Sequence, residues 1–301
     1  SGGSKLTKIT DGAVSFDGSS DYLSLAHNSD FDMYDSIYTW DPFFYTTDLS
    51  SGTDDEGYGT LFSQCTAGSS VSYGLGFDGS GNLSFKYWNG SSTVSTTATT
   101  KIGTNRWYHV AIVKDTASAT SGNTKIFLDG KFEATTAVSG TFHNSTNPLE
   151  IGADRRSGGG SYDYFQGQIS NLRAVKGTAL YTSNFTPPTA PLTNVTNTKL
   201  LCCQSNTSAT EGAVKPGTIT ANGDAAATNF NPFNTDINTV RGQETGYPTL
   251  NPLDMRASTA LSNGNLTVTG AGAAWYLARS TQFLTTGKYY WEYKWYGNVI
   301  D

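Results

Sequence analysis

Apolar and polar residues alternate in short blocks along the first two-thirds of the chain, and turn residues separate the blocks. Ala13–Phe16 and Tyr22–Leu25 read as two strands joined by the Gly-containing turn Asp17-Gly18-Ser19-Ser20. Ile37–Tyr45 predicts a third strand rich in aromatics. Leu61–Gln64, Tyr73–Phe77 and Leu83–Tyr87 follow, the last two forming a hairpin across Asp78-Gly79-Ser80-Gly81. Arg106–Lys114 (RWYHVAIVK) is the strongest strand pattern. Trp107, His109, Ala111 and Val113 share one face, and Tyr108, Val110, Ile112 and Lys114 the other. Both faces are mostly apolar, which places the strand between two layers, with Trp107 assigned to the core. Lys125–Leu128 and Lys131–Glu133 form a second hairpin across Asp129-Gly130. Leu149–Gly152 and Gln166–Val175 complete the set. The last strand turns at Lys176-Gly177 and leaves through Thr186-Pro187-Pro188, where proline has no N–H to continue a ladder.

Regularly spaced short strands with turn signals predict an all-β antiparallel sandwich over residues 11–203, after a flexible lead-in at 1–10. From 204 to 256 apolar residues thin out, no period is sustained, and Pro216, Pro232, Pro248 and Pro252 interrupt the chain. This stretch reads as a linker that packs along a neighbouring surface through Phe230, Phe233 and Tyr247. Strand patterns return in 257–301, where Leu261–Val268 and the aromatic run Tyr289, Trp291, Tyr293 and Trp295 begin a second β domain. Too few strands follow to close a second sandwich, so that domain is expected to be cut short.

Composition narrows the function classes. Of 301 residues only 15% are charged, 33 are Gly, and 13% are aromatic, which suits short strands and tight turns better than helical bundles. The net charge is -6 and Arg155-Arg156 is an isolated basic pair, so no nucleic-acid partner is expected. The apolar runs are too short to insert in a bilayer, and SGGSKLTKIT lacks the apolar core of a secretion signal. Cys65, Cys202 and Cys203 are too few for a disulfide framework and read as buried free thiols. The histidines at 27, 109 and 143 show no metal-ligand spacing, and His109 reads as a core residue. The acidic run Asp54-Asp55-Glu56 between glycines reads as a solvated loop, and no Gly-x-Ser-x-Gly nucleophile pattern sits on a strand–helix turn. The seven Asn-x-Ser/Thr triplets are expected from a Ser-, Thr- and Asn-rich composition and are expected to be unmodified.

Glycan recognition needs exposed aromatic platforms beside amides and hydroxyls. Two regions offer them: Tyr87, Trp88 and Asn89 at a hairpin tip, and the Gly-rich loop bearing Arg155, Tyr162 and Tyr164. The alternative for both is strand-end packing or contact with a neighbouring subunit.

Five stretches also carry a family resemblance: FDGSSDYLSL (16–25), NRWYHVAIVKD (105–115), TKIFLDGK (124–131), LEIGAD (149–154) and GQISNLRAVKGTALYTSNFTPPTAPL (167–192). In this order they resemble the laminin G-like, concanavalin A-type jelly-roll domains of tailed-phage structural proteins. LSNGNLTVTG and TTGKYYWEYKW resemble the start of a SPRY domain. The sequence departs from the family at Tyr38–Tyr45 (YTWDPFFY), where Pro42 requires an edge or a bulge. The resemblance implies a jelly-roll sandwich, and it allows one structural Ca²⁺ held by an opening Asp and an acidic residue in the closing strand. Asp17 matches the first and Asn171 stands in the second place, where an amide contributes no charge. The competing reading is that Asp17 and Asp21 serve only their own turn. The Glu-x-Asp-x-x-Glu pattern of the related glucanases does not occur.

Together these observations predict a non-enzymatic virion structural or adhesion protein: a tail fibre, appendage or surface decoration. Its expected partners are other virion proteins or copies of itself in a homo-oligomer, and a host glycan. The alternatives are a bacterial carbohydrate-binding module, at the cell surface or secreted, and a glycan hydrolase with an unrecognised site.

Overall fold

The computed structural model describes residues 12–33, 35–49, 59–65, 71–118, 120–139, 144–155, 162–233, 249–255, 259–262, 265–270, 278–280 and 294. The chain divides into two compact units, Ser1–Asn234 and Thr235–Asp301. Among the described residues there is no α-helix, and none long and apolar enough to cross a membrane.

The first unit is an antiparallel sandwich of the jelly-roll class. Its strands are β1 (Ala13–Asp17), β2 (Tyr22–Leu25), β3 (Tyr38–Trp40), β4 (Phe43–Thr46), β5 (Gly59–Cys65), β6 (Val71–Phe77) and β7 (Leu83–Trp88). Then come β8 (Thr93–Thr97), β9 (Trp107–Lys114), β10 (Asn123–Leu128), β11 (Lys131–Ala137), β12 (Leu149–Ile151), β13 (Ala153–Arg155) and β14 (Tyr162–Tyr164). The unit ends with β15 (Gln166–Ser170), β16 (Leu172–Lys176), β17 (Thr198–Cys202), β18 (Gly212–Val214), β19 (Ile219–Asn222) and β20 (Ala226–Thr228). The larger sheet runs β18-β17-β16-β3-β9-β4-β15-β1-β20, with β10 and β11 added beyond β9. The smaller runs β19-β2-β12-β5-β6-β7-β8.

Between the sheets lies one apolar core. Tyr108, Val110 and Ile112 enter it from β9, and Tyr73, Leu75, Phe77, Leu83, Phe85 and Tyr87 from β6 and β7. At its centre Trp40 stacks on Phe62, ring centroids 4.4 Å apart, and Phe44 stacks on Tyr108 at 5.4 Å. As the pattern predicts, the other face of β9 is buried too. Ala111 and Val113 pack with Phe127, Tyr181 and Phe185, and Trp107 packs in a cluster with Phe43 and Phe233. Trp107 therefore belongs to this outer layer and not to the central core, because odd positions of β9 point away from the smaller sheet.

The predicted strand Ile37–Tyr45 is split into β3 and β4, yet both keep one register on β9: Trp40 pairs Ile112 and Phe43 pairs His109. Across the other side, Trp40 pairs Ala174 and Phe43 pairs Ser170, so the 170–174 line carries one extra residue. Asn171, in left-handed backbone at φ 52°, makes this bulge. The proline that cannot donate thus lies against the bulge, in a central strand, while its carbonyl still accepts from Val110 N at 3.1 Å.

Residues 204–233, expected as linker, build part of this unit. β18 pairs β17, β19 pairs β2, and β20 pairs β1. Sequence pattern missed them because edge strands of three or four residues, solvated on most sides, need no apolar alternation. Phe230 and Phe233 do pack on a neighbouring surface, meeting Trp107 and Phe43. Tyr247 and the lead-in 1–10 lie outside the described residues.

In the second unit, β21 (Leu250–Met255) pairs β24 (Ala278–Ser280), and β22 (Thr259–Ser262) pairs β23 (Thr267–Gly270). Tyr289, Trp291, Tyr293 and Trp295 lie outside the described residues.

Candidate functional site: the outer face of the smaller sheet

The two faces of the smaller sheet differ sharply. Inward go Tyr73, Leu75 and Phe77 of β6 and Leu83, Phe85 and Tyr87 of β7. Outward go the residues between them: Ser72, Gly74 and Gly76, and Ser84, Lys86 and Trp88. Register lines Gly74 with Lys86 on β7 and Ser63 on β5, then Lys86 with Ser95 on β8. The result is a strip of glycine and serine side chains with Lys86 in its midst and one indole at its margin. Gly76 has a structural reason to be glycine, since an added Cβ would sit 3.0 Å from Gly59 O.

A ribbon walls the opposite margin. β13 and β14 pair Ala153 with Tyr164, Asp154 with Asp163 and Arg155 with Tyr162. The ribbon folds over the outer face of β5, where Ser63 Oγ donates to Ala153 O at 3.0 Å and Cys65 Sγ donates to the Asp154 carboxylate. Burial, and then the Asp154 charge, push the Cys65 thiol well up, so it stays a neutral donor. All three cysteines are free and buried. β5 and β7 stand two strand spacings apart, about 10 Å, with β6 as the strip between the ribbon and Trp88. On this strip Ser63, Ser72, Gly74 and Ser84 are buried, and Gly76, Lys86 and Trp88 are half-buried.

The sequence candidates sort onto this geometry unevenly. Trp88 is half-exposed at the end of β7, as expected of a platform. Tyr87 is not a surface residue: it is 1% exposed, and its hydroxyl accepts from Ser139 N at 3.1 Å inside the core. Adjacent residues of a strand point to opposite faces, so only one of the pair could reach solvent here. Asn89 shapes the tip, its Oδ1 accepting from Ser91 N at 3.0 Å and Ser92 N at 2.8 Å. Tyr164 is half-buried and tilts against Tyr22 at 6.4 Å. Arg155 and Tyr162 are paired strand residues of the ribbon, and the loop at 156–161 lies outside the described residues, as do Asp54–Glu56. Sequence reasoning missed the strip. Its signal is the alternation of Ser72, Gly74 and Gly76 with large apolar residues, which marks a strand with one bare face.

The calcium pair does not converge. Asp17 pairs Gln166 at one end of the β1–β15 ladder, and Asn171 lies beyond its other end. There Asn171 Oδ1 accepts from Leu192 N at 2.8 Å and Gln204 Nε2 at 2.7 Å, tying down the segment after β16. The carboxylates of Asp17, Asp21 and Asp224 do come within 4.8 Å of one another. Their oxygens are engaged by donors: Asp17 Oδ1 takes the N–H groups of Ser19, Ser20 and Asp21 at 2.8–3.1 Å, and Oδ2 takes the Ser19 and Ser20 hydroxyls. Burial raises the Asp17 pKa, but hydrogen bonds from the Ser19 side chain and then the Ser20, Ser19 and Asp21 backbones outweigh it and hold the group below the usual range. Asp21, whose two oxygens accept from Asp17 N and Asp224 N, is pushed up by burial and by its carboxylate neighbours. The donors aimed at the Asp17 and Asp21 oxygens cap this turn.

Residues 17–180 match the family described as the concanavalin A-like lectin/glucanases superfamily. The chain belongs to that superfamily. A putative carbohydrate binding protein from Bacteroides ovatus is similar in structure, with TM-score 0.50 and 17% identity over 73% of this chain and 60% of that one. The CBM40 of a Ruminococcus gnavus IT-sialidase aligns at TM-score 0.44 and 16% identity, over 57% of this chain and 92% of its own. A heptameric SAP-like pentraxin from Limulus polyphemus aligns at TM-score 0.42 and 20% identity, over 58% and 80%. At these identities the likeness concerns the fold. No curated protein matches the chain.

Proposed function

We propose that the first unit is a non-catalytic glycan-binding domain, and that the sheet face between Trp88 and the β13–β14 ribbon is its binding surface. The observation that carries this reading is the half-buried Trp88 at the edge of a strip of Gly, Ser and Lys86 side chains. A sugar ring stacks its C–H face on an indole and exchanges hydrogen bonds with hydroxyl and ammonium groups beside it. The carboxylates nearest the ribbon, Glu150, Asp154 and Asp163, are buried, and Asp154 is engaged by the Cys65 thiol. In keeping with the sequence resemblance, the domain is an adhesion element of a virion appendage, followed by a SPRY-like β module. The fold likeness to a putative carbohydrate binding protein of Bacteroides ovatus favours the second reading, a bacterial carbohydrate-binding module.

Trp88→Ala is the test. Binding to an array of bacterial surface glycans should fall at least tenfold, while stability changes by no more than about 1 kcal/mol, as for most exposed positions. Full retention of binding would remove this face as the site. Detection of released reducing ends would overturn the non-catalytic assignment.

A further inference from the structure

The stretch after β17 wraps the sandwich in an unusual way. Within thirty residues it adds β18 to one end of the larger sheet, β19 to an end of the smaller sheet, and β20 to the other end of the larger sheet. Three of the sandwich's open edges, β17, β2 and β1, are closed by one segment. The segment gives little to the central core: from 212 to 233 only Ile219, Ala225 and Asn231 are buried, while Val214, Phe230 and Phe233 pack on the outer layer around Phe43 and Trp107. Its other attachments are main-chain ladders and polar contacts, such as Asp224 N to Asp21 Oδ1 at 2.7 Å and Asn222 Nδ2 to Ser24 Oγ at 3.2 Å. The family match covers residues 17–180 and does not reach this segment.

We propose that residues 212–233 form an exchangeable arm, and that the edges it covers are the surface through which a second copy of this chain docks, by accepting that copy's arm. Bare strand edges accept any strand of compatible register, because the ladder is made by backbone groups. Elements with few buried apolar contacts open at the low end of the stability range. An arm that opens on its own chain meets an identical edge on a neighbour, and the same bonds form again. Exchange therefore costs little in contacts and is decided by concentration. Residues 204–211 would supply the hinge: they are half-buried bends and turns between β17 and β18, with Thr207 and Glu211 exposed and Ala209 buried.

Ser24 on β2 and Thr220 on β19 stand directly opposite each other, which makes the exchange readable by cross-linking. Two full-length variants, Ser24→Cys and Thr220→Cys, are mixed in equal amounts and oxidised under native conditions. A disulfide joining position 24 of one chain to 220 of another forms efficiently only if the arm of one lies on the sheet of the other. A parallel mixture of Ser24→Cys with Ser95→Cys, an exposed strand position, measures chance collision. The 24–220 product should exceed the 24–95 product at least tenfold and rise with protein concentration. Equal yields would overturn the proposal. The double variant Ser24→Cys/Thr220→Cys, oxidised at high dilution, should close within one chain, and failure to close would overturn the seat of the arm itself.

Discussion

The outer faces of the two sheets are built on the same scaffold and have opposite fates. On the larger sheet, His109, Ala111 and Val113 of β9 and Phe43 of β4 would present an apolar surface, and the chain covers it with its own segments. Tyr181 and Phe185 stack at 3.8 Å over one half, and Phe230 and Phe233 lie on the other. A buried ion pair fastens the cover: Arg173 Nη2 meets Asp41 Oδ2 at 2.6 Å and Nε meets Oδ1 at 3.0 Å, with Tyr181 Oη donating to the same carboxylate at 2.9 Å. On the smaller sheet the equivalent positions are Ser and Gly with Lys86 and Trp88, and among the described residues the β13–β14 ribbon lies over its β5 end. A face that is apolar must be sealed by the chain itself, whereas a polar face can stay open to a ligand. Fold alone would not have told the two apart, because both sheets belong to one jelly roll.

The strongest way to break this comparison is to unfasten the cover. Arg173→Met should destabilise the first unit by about 3–5 kcal/mol, since it leaves the Asp41 carboxylate buried without its cation. Denaturant unfolding checks the figure, and Asp41→Leu combined with Arg173→Met should recover part of the loss. Destabilisation below about 1 kcal/mol for Arg173→Met would mean the sealed face is held by apolar packing alone.

Acid should loosen the sealed face before the open one. Burial, and then the Arg173 charge, lower the His109 pKa to about 3, and neither ring nitrogen has a hydrogen-bond partner among the described residues. The unfolded chain takes up this proton near pH 6.5 and the folded chain does not, so the stabilisation is complete above that pH and is lost as pH falls toward 3. By pH 5 the loss attributable to His109 should reach about 2 kcal/mol. His109→Phe should flatten the stability profile between pH 7 and 5. An unchanged slope would assign the acid sensitivity to other groups.

The smallest expected effect sharpens the assignment of the β1–β2 turn. Excess chelator should leave the Tm of the protein unchanged, because Asp17 and Asp21 are satisfied by N–H and O–H donors. A rise in Tm on adding Ca²⁺ that Asp17→Ala abolishes would show that the three carboxylates do take a cation.

Much of this was legible along the chain. The hairpins at Asp78–Gly81 and Asp129-Gly130, the two buried faces of β9 and the sandwich class all follow from period-two patterning and turn residues, which act within a few positions. The position of Trp88 at a strand end, partly open to solvent, was legible as well. Tertiary structure alone decided that Tyr87 points inward, because the pairing of β7 with β6 determines which alternate face meets the core. It alone gave Asn171 its bulge, where two neighbouring strands hand over from β1 to β17, and separated it from Asp17. It alone turned 204–233 from linker into edge strands. Those ladders join residues some two hundred positions apart, such as Thr220 and Ser24, through backbone groups that every sequence carries, so nothing in the side-chain pattern announces them.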